Sequence, residues 1–269
     1  MDRRLTPATT RVAHISLKGL VEAERFTEGE TLRVHISMIP LERSPEGPKE
    51  RELLQGDEFT VIDREGDYAF GFAVKDGYCG WVYAMALALR PEPTHWVASV
   101  GTHRYREPRV QKPEFALPMG AKVRVSGQDG KFAVVDFGFV PAVHLRAIGD
   151  WFSDPVGVAE GFLGTPYLWG GNTRAGIDCS GLVQVAHMAC GISLPADSDL
   201  QEAAGTVVQG AFRRGDLLFW KGHVALAVDA DRLIHANGHT MSVAYEGIAD
   251  AIAHIEAAEG NPLRSHRRL

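Results

Sequence analysis

One cysteine stands where a nucleophile is well seated. In the stretch GIDCSGLVQVAHMACG, residues 176–191, Asp178 is placed to cap a helix whose first turn holds Cys179. The unpaired N–H groups and the positive dipole end at a helix start favour a thiolate, the reactive form of the side chain. A cysteine on an apolar helix is by itself more often a small core residue. Cys190 illustrates that alternative, because it lies eleven residues on, about three turns away, too far along the same face to cooperate. A nucleophile also needs a base, and the base needs an orienting group.

Downstream of Cys179 lie His223, His235, His239, His254 and His266. His223 opens the strand-like run HVALAVD and His235 sits within RLIHANG. A three-residue turn at Asp229-Ala230-Asp231 pairs Val228 with Arg232 and Ala225 with His235, so His223 and His235 become diagonal neighbours on one sheet face. A two-residue turn would put them on opposite faces. The spacing therefore permits Cys179 as nucleophile, His223 as general base and acid, and His235 as the group that orients His223. Asn237 is the alternative third member, and two ordinary surface or core histidines are the competing explanation. A zinc hydrolase built on His223, His235 and His239 lacks the helical His-x-x-x-His pair, so no metal is expected.

These residues need elements to position them. Residues 1–27 read as an arm that packs onto something else. Short β-rich runs separated by turns then fill residues 28–90 and 91–148, the spacing of two small all-β barrels. A faint internal repeat supports two copies: Glu65-Gly66-Asp67-Tyr68-Ala69 with Gly80-Trp81-Val82-Tyr83-Ala84 resembles Asp129-Gly130-Lys131-Phe132-Ala133 with Gly138-Phe139-Val140-Pro141-Ala142. The segment RPEPTH, residues 90–95, is the expected linker. Residues 149–269 differ in character. Asp154 followed by Pro155 starts a short helix, the Cys179 helix ends at Gly191, and DLLFW, HVALAVD and RLIHANG supply strands. Helices first and a sheet afterwards give an α+β class for this part.

Composition narrows the function. The 269 residues carry a net charge of −6, with 45% hydrophobic and 23% charged residues, which gives no reason to expect nucleic-acid or anionic-membrane partners. No apolar run approaches the ~18 residues of a membrane span. Cys79, Cys179 and Cys190 have no paired spacing, so no disulfide framework is expected. The first twenty residues, MDRRLTPATTRVAHISLKGL, contain no uninterrupted apolar core of an export signal, so a cytoplasmic protein is expected. The basic run Arg264-Ser265-His266-Arg267-Arg268 is expected to fray in solvent.

A resemblance adds to this reading. TPYLWGGNTRAGIDCSGLVQ, then RRGDLLFWKGHVALAVD and LIHANG, closely resemble the NlpC-type cysteine peptidases, papain-like cell-wall hydrolases. The match runs through Tyr167, Trp169-Gly170-Gly171, Gly176, Asp178 to Gln184, Gly215-Asp216-Leu217, His223 and His235. The preceding barrels resemble bacterial SH3-like domains. The resemblance implies a papain-like catalytic domain, its cysteine-bearing helix packed on an antiparallel sheet, behind two small SH3-like barrels. It implies a Cys–His–polar triad on Cys179, His223 and His235, and no cofactor. The implied reaction is hydrolysis of the γ-D-glutamyl–diamino acid bond in murein peptides with a free N-terminal L-alanine, a peptide-recycling role. Asp178 and Ser180 are then candidates for binding the alanine ammonium, Tyr78 of the first barrel is the aromatic candidate, and Tyr167 is a candidate for the oxyanion site beside the backbone N–H of Cys179. An acyltransferase or amidase on a non-murein substrate and a non-catalytic murein-binding adaptor are the rival functions.

Overall fold

The computed structural model describes residues 1–269, the side chain of Glu259 excepted. The chain forms two compact units, residues 1–148 and 149–269.

The first unit is all sheet apart from single 3₁₀ turns. Residues 30–88 form one seven-stranded antiparallel sheet, in the order Lys49–Leu54, Met38–Glu42, Cys79–Tyr83, Tyr68–Ala73, Glu58–Glu65, Glu30–Val34, Leu87–Ala88. Its inward positions bury Phe59, Leu41 and Leu53 completely. Residues 95–147 form a five-stranded and a three-stranded sheet around Val97, Leu117, Ala121 and Val140. Both copies of the internal repeat fold alike. Glu65 pairs with Tyr68 across a turn holding Gly66 at φ +54°, and Asp129 pairs with Phe132 across one holding Gly130 at φ +57°. Left-handed backbone at that turn position explains why each copy has glycine there. Each copy then runs through its next strand into a 3₁₀ turn, Ala84–Ala86 or Ala142–His144.

The N-terminal arm belongs to this unit. Val12–His14 pairs in parallel with Arg25–Thr27, Val12 and Ala13 are buried, and Arg3 and Arg11 pair with Glu50 and Asp63. Asp57 is a buried anchor between the two sheet systems. Its carboxylate accepts from Lys75 Nζ at 2.8 Å, Lys122 Nζ at 2.9 Å and the Leu54 N–H at 3.0 Å. Burial works to raise this carboxyl, but the two ammonium groups and the hydrogen bonds prevail and hold it far below the ordinary carboxylate range.

The second unit is α+β. Helix α1 (Pro155–Glu160) starts at Asp154, whose side chain accepts from the Val156 N–H. Helix α2 (Cys179–Met188) is buried on nearly every side, α3 (Ser198–Gln201) is a single turn, and α4 (Ile248–Glu259) closes one sheet face. The strands of its six-stranded sheet are β1 (Thr206–Val207), β2 (Leu217–Trp220), β3 (His223–Ala227), β4 (Arg232–Asn237), β5 (Ser242–Gly247) and β6 (Ser265–Arg268). They lie in the order β1-β6-β2-β3-β4-β5, all antiparallel. Leu218, Trp220, Ala225, Ala227 and Leu233 of the sheet pack with Ile248, Ala251 and Ile255 of α4, while α2 packs against β3 and β4.

The C-terminal basic run does not fray. It is strand β6, inserted between β1 and β2. The reason is electrostatic. Asp216, in the Gly215-Asp216-Leu217 motif, is fully buried and accepts from His266 Nε2 at 2.6 Å and from Arg268 Nε and Nη2 at 2.6 and 2.7 Å. Burial tends to raise the Asp216 carboxyl, and these hydrogen bonds more than offset it, so it ionises more readily than a free carboxyl. A buried carboxylate without partners is costly, and the tail supplies the Arg268 cation and the His266 ring.

Replacing Asp57 by Ala removes the buried carboxylate that Lys75 and Lys122 share. The expected loss is about 3–5 kcal/mol, the cost of breaking a buried pair by removing one partner. Urea denaturation of wild type and Asp57→Ala, followed by tryptophan fluorescence, measures it. A change below about 1 kcal/mol would contradict the anchoring role.

Candidate active site

Asp178 takes extended backbone, φ −99° and ψ 179°, and caps α2 as its sequence position demands. Its Oδ1 accepts from the Gly181 N–H at 2.7 Å and from Ser180 Oγ at 3.2 Å, and its Oδ2 accepts from the Gly170 N–H at 2.8 Å. One carboxylate therefore ties the Trp169-Gly170-Gly171 loop to the first turn of α2. Cys179, Ser180 and Gly181 are all buried. The glycines in this motif are explained by close approach. A Cβ on Gly181 would run into the Gly171 carbonyl oxygen, and one on Gly171 would run into the Gly176 carbonyl. The helix start thus rests directly on loop backbone, which fixes the height of the cysteine. Trp169 itself is exposed.

The other thiols show the bland alternative. Burial pushes Cys79 up to about 12, and it also pushes Cys190 upward. Both are thereby less ionised near neutral pH than a free thiol, and the thiolate is the reactive form.

The β3–β4 hairpin has the three-residue turn. Val228 N–H donates to the Arg232 carbonyl at 2.8 Å, and Leu226 and Ala227 pair with Ile234 and Leu233. Asp229 Oδ1 holds the turn by accepting from the N–H groups of Asp231 and Arg232. In that register His223 Nε2 and His235 Nδ1 meet at 2.9 Å. Asn237, the alternative partner, turns back instead, its Oδ1 accepting from the Thr240 N–H at 2.7 Å. His235, not Asn237, is the group that touches His223.

His223 is partly buried and His235 is almost completely buried. Burial lowers His223 to about 4, with the charge of His254 adding to the effect. Burial lowers His235 to about 3, helped by the charges of His223, His254 and His239. Both rings are therefore neutral near pH 7, and their mutual hydrogen bond carries one proton between two nitrogens. With Nε2 engaged by His235, His223 keeps Nδ1 for another partner.

Tyr167, partly buried, lines an open cleft together with His223, His235, Asn237, His239 and His254. Its backbone pairs with Met241 and bridges to Ile177, which brings the loop before α2 to the hairpin that carries the histidines. Ser180 donates to Asp178 Oδ1. Tyr78 belongs to the first unit, where it is buried in the turn before the Cys79–Tyr83 strand. Among the described residues no group of three His, Cys, Asp or Glu side chains is arranged to hold a metal ion. Sequence reasoning missed Glu246 on β5, which lies 3.1 Å from His235 Nε2 and 2.7 Å from His254 Nδ1. The alternation Ser242, Ala244, Glu246 carried the signal, since Ala244 pairs with His235 and Glu246 lies two residues along the same face.

Cys179 stands at the capped start of a helix that packs against the two strands carrying His223 and His235. A model of the NlpC/P60 family matches residues 164–254, and a model of the bacterial dipeptidyl-peptidase SH3 domain matches residues 41–87. The chain is 31% identical over 214 residues to the gamma-D-glutamyl-L-lysine dipeptidyl-peptidase of Bacillus subtilis (strain 168), a match covering 69% of this chain and 71% of that protein. The chain belongs to the NlpC/P60 family. A protein of the same description from Bacillus cereus is 26% identical over 232 residues, covering 70% of this chain and 67% of that one. The crystal structure of an NlpC/P60 family protein from Bacillus cereus matches with a TM-score of 0.77 at 21% identity, covering 89% of this chain and 99% of that one, which shows a shared fold. This NlpC/P60 protein is accordingly a cysteine peptidase, a papain-like α+β domain behind an SH3-type region.

Two outcomes follow from the geometry. Gly181→Ala forces the Gly171 loop away from α2 at a cost of roughly 1–3 kcal/mol, the range for overpacking. Thermal unfolding checks this, and an unchanged Tm would show that the loop gives way freely. The histidines give a pH dependence. Both rings are harder to protonate in the fold than a free imidazole of about 6.5. Stability from their neutral burial is thus full above about pH 6.5 and fades as pH falls towards about 4. A side-chain ¹⁵N titration is expected to find both neutral at pH 5, and protonation near 6.5 would contradict it.

Proposed function

We propose that this NlpC/P60 peptidase hydrolyses the γ-D-glutamyl–diamino acid bond of murein peptides that carry a free N-terminal L-alanine. The observation that carries the reading is the 2.9 Å bond between His223 Nε2 and His235 Nδ1, on the two strands against which the Cys179 helix packs. The descriptions of the Bacillus relatives as gamma-D-glutamyl-L-lysine dipeptidyl-peptidases support the bond class.

In this reading His223 Nδ1 takes the proton of the Cys179 thiol, and the thiolate attacks the γ-carbonyl carbon of the D-glutamyl residue. The oxyanion forms beside the Cys179 backbone N–H, with Tyr167 lining the same cleft as the histidines. The C–N bond then breaks, and His223 returns the proton to the leaving amine. Next His223 deprotonates a water, which cleaves the thioester and releases the glutamyl carboxylate and the thiol. Asp178 adjoins the nucleophile and supplies negative charge for the alanine ammonium, with Ser180 beside it.

A free L-alanine amine exists only after the peptide has been cut from the glycan strand. The substrate is therefore a released fragment, and the role is recycling of such fragments in the cytoplasm. Recovery of the protein outside the cell, or activity on whole sacculi, would overturn that part.

The direct test uses L-Ala-γ-D-Glu-diaminopimelate and the same peptide blocked at its amine, with wild type and Cys179→Ala, read by mass spectrometry. Cleavage of the free peptide alone, abolished in the variant, is the expected result. Cleavage of both peptides keeps the peptidase and removes the ammonium-reading step. Cleavage of neither overturns the proposal in favour of acyl transfer or murein binding.

A further inference from the structure

The His–His hydrogen bond leaves a question about where its proton sits. Two neutral imidazoles joined through His223 Nε2 and His235 Nδ1 have two arrangements. If His235 donates from Nδ1, then His223 Nε2 is bare, its proton is on Nδ1, and it cannot take a thiol proton there. If His223 donates from Nε2, then Nδ1 is bare and His223 is a base toward Cys179. The hydrogen bond alone does not choose between them.

The choice depends on the far side of His235. Its Nε2 is buried and has no well-aligned hydrogen-bond partner, yet Glu246 Oε2 lies 3.1 Å away. An ionised carboxylate only accepts, so it favours a proton on His235 Nε2. The other oxygen, Oε1, is 2.7 Å from His254 Nδ1 on α4, and the His254 ring lies against that of His239, 5.1 Å between centroids. The groups around the pair are thus His223 from β3, His235 from β4, His239 from the loop after it, Glu246 from β5 and His254 from α4, with Lys221 lining the same cleft.

We propose that Glu246, held in place by His254, is a positioning residue that sets the tautomers of the catalytic pair. Resting on the reading of His223 as base, the chain of consequence runs from Glu246 to His235 Nε2–H, then to a His235 Nδ1 that accepts from His223 Nε2–H, and so to a bare His223 Nδ1. Glu246 never meets substrate. It acts through His235 alone.

The test compares the full chain with Glu246→Ala and Glu246→Gln, where Gln keeps the size and one carbonyl acceptor. The first readout is the ¹⁵N long-range spectrum of the histidine rings, which reports tautomers without any substrate. The second is the pH profile of Cys179 alkylation by iodoacetamide, which reports the base without any peptide. In Glu246→Ala, His235 is expected to lose its Nε2–H form and Cys179 reactivity at pH 7 to fall roughly tenfold, part of the ~10²–10⁴-fold a positioned base supplies. Glu246→Gln is expected to restore most of both. Unchanged tautomers in Glu246→Ala overturn the proposal, as does a loss of reactivity that Gln fails to rescue while the tautomers stay native. Altered tautomers with unchanged Cys179 reactivity would support the Glu246–His235 link and overturn the reading of His223 as base.

Discussion

The register of one β-hairpin governs the arrangement of the candidate active site. Three residues in the Asp229–Asp231 turn place Ala225 opposite His235, and only that count puts His223 and His235 on the same face within hydrogen-bonding distance. One residue fewer would turn His235 to the opposite sheet face and leave His223 without an orienting partner. The register is itself held locally, by the Asp229 side chain accepting from the two N–H groups at the end of the turn. A tight turn thus sets a geometry that flexible loops could not hold to the tolerance proton transfer requires.

The same economy governs the start of α2, where Cys179 sits. Asp178 satisfies donors of the α2 first turn and, through the Gly170 N–H, draws the preceding loop against the helix. Glycines at 171 and 181 allow backbone to lie on backbone, so cysteine, cap and loop form one rigid piece. Tyr167 enters the histidine cleft from this loop by pairing with the chain after β4. Loop, helix start and hairpin are therefore tied by main-chain hydrogen bonds, which tolerate little drift.

Buried carboxylates do the long-range work in both units. Asp57 and Asp216 are each nearly inaccessible, and each accepts from two basic side chains distant in sequence, Lys75 and Lys122 or His266 and Arg268. Such clusters contribute less net stability than their Coulomb attraction suggests, because desolvation offsets it. Their effect is specificity of a different kind: a mispaired strand would leave a buried charge without a partner. Asp216 makes insertion of β6 between β1 and β2 the arrangement that satisfies its charge.

Much of the site was legible before any coordinates. Asp178 as cap, Cys179 at the helix start, the three-residue turn and the diagonal histidines all follow from contiguous residues, where local hydrogen bonding and the period of a strand decide the outcome. The repeat glycines at 66 and 130 are likewise local, because each turn needs left-handed backbone at that place. What the tertiary structure alone decided lies between residues far apart in the chain. The basic C-terminus reads as a solvated tail until a buried carboxylate some fifty residues earlier claims its His266 and Arg268. Glu246 meets His235 only because β5 pairs with β4 and α4 folds back to bring His254 against it. Sequence fixes the periodicity of each element and the chemistry at its ends, but packing chooses which distant group satisfies each buried polar atom, because that depends on burial, and burial exists only once the sheet has closed.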